Sequence, residues 1–118
     1  MSNSPHIFDV DDATFDAAVV ERSKQVPVVV DFWADWCGPC KMMAPEVNRV
    51  AAHSGGKFVV AKVNTEGLPG LAERFKINAL PTLVLFAGGV EVGRAQGAQP
   101  AVQIQRFVEQ TIRTGRPA

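Results

Sequence analysis

The sequence predicts an α/β fold, a central mixed sheet of about five strands flanked by about four helices. Three observations carry that reading. Val28 to Trp33 is a nearly continuous apolar and β-branched run, as a strand covered on both faces requires. An amphipathic stretch then leads to a second such run, Phe58 to Val63, so the two form a βαβ unit with parallel strands and a right-handed crossover. Further on, Thr82 to Phe86 and Val90 to Arg94 flank Gly88-Gly89 and read as an antiparallel hairpin.

In chain order, a short strand around Ile7 to Val10 adds an edge to the sheet. Asp11 and Asp12 are capping candidates for a helix whose apolar face holds Phe15, Ala18 and Val19, and which gives way near Gln25-Val26-Pro27. Asp31 is the one charged residue in the strand that follows. After Cys40, the residues Met43, Val47, Val50 and Ala51 recur at helical spacing. Pro45 lies inside that pattern and predicts a kink, because it lacks an N–H and its ring crowds the Lys41 carbonyl. Gly55-Gly56 ends the helix. Leu68, Leu71, Ala72 and Phe75 mark a short helix between the second and third long strands. Ile104, Phe107, Val108 and Thr111 form the stripe of a closing helix, with Pro100 in its first turn and Gly115-Arg116-Pro117 ending it.

A chain of 118 residues suits one domain over 1–118, with flexible ends expected at 1–5 and 115–118. Surface scaling gives roughly 6,000 Å² accessible when folded against about 18,000 Å² unfolded, enough burial for a core without staples. Twelve basic and twelve acidic side chains cancel, so no strong field draws the chain to nucleic acid or an anionic membrane. The first residues lack a secretory pattern, and no run approaches the ~20 apolar residues of a membrane span, which makes a cytoplasmic protein the expectation. Gly55-Gly56 and Gly88-Gly89 lack the spacing of a nucleotide loop.

The chemistry-bearing feature is Trp36-Cys37-Gly38-Pro39-Cys40-Lys41, which puts both cysteines of the chain where a strand hands over to a helix. Thiols three positions apart in a first helical turn fall within the Cα separation of roughly 4.4–6.8 Å that a disulfide needs. The unpaired N–H groups and positive dipole end of the helix favour a thiolate on the first of them. Cys37 is therefore the candidate nucleophile and Cys40 the resolving thiol. A purely structural staple is a poor alternative, since so small a ring restrains the unfolded chain by only about 2 kcal/mol. Zinc is the sharper competitor, because Cys37, Cys40 and His53 reproduce three ligand positions of a zinc finger. The fourth ligand is missing, since Lys57, Phe58 and Val59 stand where it would fall, and a continuous helix separates Cys40 from His53 by about 20 Å. His53 reads as a solvated residue near a helix end.

Val30-Asp31-Phe32-Trp33-Ala34, the segment from Trp36 to Lys41, Ala44-Pro45, Lys62-Val63-Asn64, Pro81-Thr82 and Gly97 together resemble the thioredoxin family over nearly the whole chain. Val63-Asn64-Thr65-Glu66 is similar to the bacterial thioredoxin 2 branch, whose cysteine-rich zinc module at the front is absent here. The resemblance implies the thioredoxin fold and a general protein disulfide reductase, with Cys37 attacking a partner disulfide and Cys40 resolving the mixed disulfide. It implies no bound cofactor or metal beyond the redox-active disulfide of Cys37 and Cys40. It places Asp31 beneath the site as proton acceptor for Cys40, acting through water, with Lys62 adjusting its ionisation. The alternative is an aspartate merely paired with Lys62. Gly38 and Pro39 support the motif, and Trp36, Leu80, Pro81 and Gly97 match the family's flat apolar docking patch, where the bond before the proline is cis and the backbone pairs with an extended partner segment. Trp36 as ordinary core is the competing assignment. The implied partners are disulfide-containing protein substrates and a separate thioredoxin reductase passing electrons from NADPH, with ferredoxin as the other source; a monomer is expected.

Three positions depart from the pattern. Leu80 replaces the usual isoleucine or threonine before the proline, Thr65 stands where an apolar contact residue is common, and Gln96 precedes Gly97 where valine is frequent. These bear on partner preference and leave the chemistry intact. Two competing functions share the fold. An oxidase or isomerase usually carries a histidine between its cysteines, and Gly38-Pro39 lacks that cation. A non-catalytic binding module typically loses a cysteine or the buried acid, whereas Cys37, Cys40 and Asp31 are all present.

Overall fold

Val28–Trp33, here β2, is the centre around which the molecule is built, hydrogen-bonded on both sides and buried on both faces apart from half-buried Trp33. The computed structural model describes residues 6–114; the expectations for the ends 1–5 and 115–118, and for Gly115 to Pro117 closing the last helix, lie outside the described residues. The other strands are Ile7–Asp9 (β1), Val59–Asn64 (β3), Thr82–Ala87 (β4) and Val90–Gln96 (β5), in the order β1-β3-β2-β4-β5. β1 and β2 both run parallel to β3, while β4 is antiparallel to β2 and β5 to β4. The expected βαβ half and hairpin half are both present, with β1 on an edge.

Alternation along the strands sends side chains to two separate cores. Ile7, Val29, Val60, Leu83 and Leu85 pack against Met43, Val47, Ile104 and Val108 of the two long helices, Gly38–Ser54 (α1) and Ala101–Thr114 (α3). Val28, Val30, Phe32, Val59, Val84 and Phe86 face the other way, against Phe15, Val19 and Leu71, the last from the short helix Pro69–Arg74 (α2). Phe75 locks this second core, its ring 5.2 Å from Phe15 and 5.5 Å from Phe86. Glu46 ties the helices of the first face together by accepting the Ala101 N–H at 2.8 Å, which satisfies an end-group of α3.

The N-terminal helical segment differs from an ordinary α-helix. Asp11 caps the turn that leads into it, its carboxylate accepting the Thr14 N–H at 2.9 Å, but Asp16–Glu21 is wound as a π-helix with no side-chain cap and Arg22–Lys24 as a 3₁₀ turn. The spacing of Phe15 and Val19 suits either winding, so periodicity alone does not distinguish them. The winding ends with Ser23 turned inward, where its hydroxyl donates to the Val20 carbonyl at 2.7 Å and accepts the Gly89 N–H at 2.9 Å. Gly88 and Gly89 both have positive φ, 64° and 87°, as a two-residue hairpin turn requires.

Candidate active site

α1 begins immediately after the open end of β2, and Cys37 is its N-cap, with φ −90° and ψ 105°. Its sulfur accepts the Cys40 N–H at 3.2 Å, so it occupies the place where the free amides of the first turn converge. Cys37 and Cys40 form a disulfide with their Cα atoms 5.3 Å apart, inside the expected range. Gly38 and Pro39 lie between them, exposed at the start of the helix, where a proline costs no hydrogen bond. In this oxidised form the cysteines are 4% and 5% exposed and pack with Ala34, Trp33 and Leu80. His53 sits exposed in the last turn of α1, and among the described residues no group of three or more His, Cys, Asp or Glu could hold a metal ion.

Asp31 lies on the face of β2 that α1 covers. It is 3% exposed, in register with Lys62 on β3 and Leu83 on β4, and its Oδ1 has no hydrogen-bond partner. Burial pushes its carboxyl up from 3.8 to about 6, against the opposing pull of the Lys62 charge. A carboxyl tuned toward neutrality is suited to taking and returning a proton. Lys62 does not close an ion pair on it, for the four ion pairs among the described residues all lie elsewhere. The ammonium instead sits 5.3 Å from the centroid of the Trp33 ring, near enough for a cation–π contact. The Trp33 Nε1, two residues along the same face as Asp31, is likewise buried without a partner.

Trp36 is 70% exposed, which rules out a core role. With Thr65, Pro69, Ala72, Ile77 and Leu80 it lines an open groove of about 370 Å³ beside the disulfide. The Leu80-Pro81 bond is cis. Gly97, at φ +93°, donates its N–H to the Pro81 carbonyl at 2.9 Å, so Pro81 and Gly97 meet where β4 begins and β5 ends. The Thr65 hydroxyl is engaged by the Trp33 carbonyl at 3.0 Å. Sequence reasoning did not place Pro69, Ala72 and Ile77 at the site, because the apolar spacing of α2 and of the residues just after it does not tell which side chains turn from the core toward the groove. It also missed Glu66, whose carboxylate accepts the Asp35 N–H at 2.9 Å and anchors the loop that carries Trp36.

The thioredoxin family model matches residues 6–110. Thioredoxin 1 of Chlorobaculum tepidum is 45% identical over 91 residues, 77% of this chain and 90% of that protein. Thioredoxin 1 of Nostoc sp. is 44% identical over 103 residues, 87% of this chain and 94% of the other. A bifunctional thioredoxin reductase/thioredoxin of Mycobacterium leprae is 38% identical over 110 residues, 93% of this chain but 24% of that longer protein. Agreement extends over nearly the whole chain, with the family as such and with separate members of it: the chain belongs to the thioredoxin family, and its chemistry is that of a protein-disulfide oxidoreductase whose electrons are carried on the Cys37–Cys40 pair.

Proposed function

We propose that Cys37 is the attacking thiolate, Cys40 the resolving thiol and Asp31 the proton acceptor in the reduction of protein disulfides. In the reduced protein the Cys37 thiolate attacks one sulfur of the partner disulfide. That bond breaks, and the other partner sulfur leaves as a thiolate and takes a proton from solvent. Cys40 then gives its proton to Asp31, directly or through water, and its thiolate attacks the Cys37 sulfur. The mixed disulfide breaks, the second partner sulfur departs and is protonated from Asp31, and Cys37–Cys40 is left oxidised. The partner gains two electrons and two protons overall, so no metal or prosthetic group enters the balance.

The observation that carries this reading is the Cys37–Cys40 disulfide at the N-cap of α1, packed over a sheet face on which Asp31 is buried with its carboxyl raised to about 6. Lys62 supports Asp31 by charge, and Gly38 and Pro39 keep the motif free of a competing cation. The exposed Trp36 and the groove ending at Leu80 suit an extended partner segment laid along the Leu80-Pro81 backbone, beside Gly97.

For the return of electrons, the joined reductase and thioredoxin of the Mycobacterium leprae relative support a thioredoxin reductase as partner; NADPH is the electron source proposed for that reductase. A monomer working in the cytoplasm fits such a carrier. No helix of the described residues is long and apolar enough to cross a membrane. The test is the equilibrium reduction potential of Cys37–Cys40, read by alkylation after equilibration in graded thiol/disulfide buffers. A two-electron transition near about −270 mV is expected of a general reductant, and one near about −180 mV or above would replace this reading with an oxidase or isomerase.

A further inference from the structure

At one level of the sheet Asp9 on β1 is in register with Lys62 on β3, and Lys62 with Asp31 on β2. In-register residues of parallel strands share a face. Here it is the face beneath α1, because Ile7, Val60 and Val29, two residues earlier on the same strands, pack against Met43 and Val47. The lower level is therefore apolar throughout, and the next is a carboxylate, an ammonium and a carboxylate in line. Burial is graded along the row: Asp9 is exposed, Lys62 half-buried and Asp31 buried. With strands about 4.8 Å apart, Lys62 stands midway between two carboxylate-bearing strands about 10 Å from each other. Asp9, Trp33 and Lys62 also line one open cleft of about 390 Å³, which leaves the lysine head room on its outer side.

We infer that Asp9 is a positioning residue for the exchange reaction, acting on Asp31 through the Lys62 ammonium that stands between them. The inference rests on Asp31 being the proton acceptor of the reaction. Lys62 favours the ionised form of Asp31, so whatever draws the ammonium outward returns Asp31 toward its protonated form. A carboxylate at the outer end of the row does this. Its direct repulsion of Asp31 has the same sign, but at about 10 Å it is cut by screening on the scale of the Debye length, which leaves Lys62 as the main route. Of the other groups nearby, the Cys37–Cys40 pair comes from the start of α1 and does not titrate when oxidised, Leu83 from β4 is uncharged, and Asp35, a second carboxylate lining the cleft with Lys62, is the same in every Asp9 variant and so leaves the comparison between them intact.

The experiment is a carbon-detected titration of the Asp31 carboxyl in the oxidised full chain, with the pH profile of mixed-disulfide resolution measured beside it. Asp9→Asn is expected to lower the Asp31 midpoint by about 0.3–0.5 pH unit, with the acid limb of the rate profile moving equally, and Asp9→Glu to keep the original midpoint. In a Lys62→Met background the same Asp9→Asn change is expected to move it by less than about 0.1 unit. An unchanged midpoint in Asp9→Asn, or an equal shift with and without Lys62, overturns the inference. Failure of the underlying assignment shows separately: if Asp31→Asn resolves the mixed disulfide at the original rate, Asp31 is not the acceptor and the positioning role falls, even where the midpoint shift is seen.

Discussion

Asp31 costs the fold stability at neutral pH. Its carboxyl titrates near 3.8 when unfolded and at about 6 when folded, so between these values the folded protein holds more proton than the unfolded chain. Stability from this group is therefore fully present below about pH 4 and is lost as pH rises through about 6, by about 3 kcal/mol as an upper bound. Asp31→Asn removes the ionisation without changing the side-chain shape. We expect it to raise the stability of the oxidised protein by up to about 3 kcal/mol at pH 7 and by almost nothing at pH 3. Urea unfolding at the two pH values measures the difference, and an equal gain at both would mean that packing, not charge burial, is responsible. The acid at the centre of the proposed chemistry is thus retained against the interest of the fold, the usual mark of a functional group.

Between elements, β5 approaches α3 closely at Gly93. A Cβ added at Gly93 would lie 2.8 Å from the Thr111 methyl and 3.7 Å from the Phe107 ring, so the strand sits where only glycine lets the helix come. Gly93→Ala should cost about 1–3 kcal/mol by overpacking, and Thr111→Ala in the same chain should recover much of it, the two changes being non-additive in urea midpoints. Additive losses would show that the contact is not the cause. Most elements were legible in the sequence, because apolar β-branched runs, hairpin glycines and helical stripes are local signals: β2 begins and ends at Val28 and Trp33 as expected, and β3 is displaced by one residue, to Val59–Asn64. The π-winding of Asp16–Glu21 was not, since the spacing of Phe15 and Val19 is satisfied by either winding. Asp9 was missed for a related reason. Nothing near it in sequence marks it out, and only the register of β1 on β3 aligns it with Lys62. At the site itself the cysteine spacing was a local signal, whereas the groove along α2 depends on how that helix is turned against the sheet.

At the scale of the whole molecule the disulfide lies at one pole of β2 and the Ser23 junction near the other. There the N-terminal helical segment holds the hairpin turn by two bonds, Gly88 N–H to the Ser23 carbonyl at 2.8 Å and Gly89 N–H to its hydroxyl at 2.9 Å. Turn amides ordinarily exchange with solvent through small local openings. These two cannot open without detaching the hairpin from the N-terminal segment, whose Phe15 and Val19 are fully buried in the second core. Their hydrogen exchange should therefore be as slow as that of central β2 and should share its dependence on denaturant, whereas exchange on the timescale of an open loop would show that the two halves move apart freely. A surface turn would then report the global unfolding free energy of the domain, and a probe placed there would sense loss of the whole fold and little of the redox state at the opposite pole.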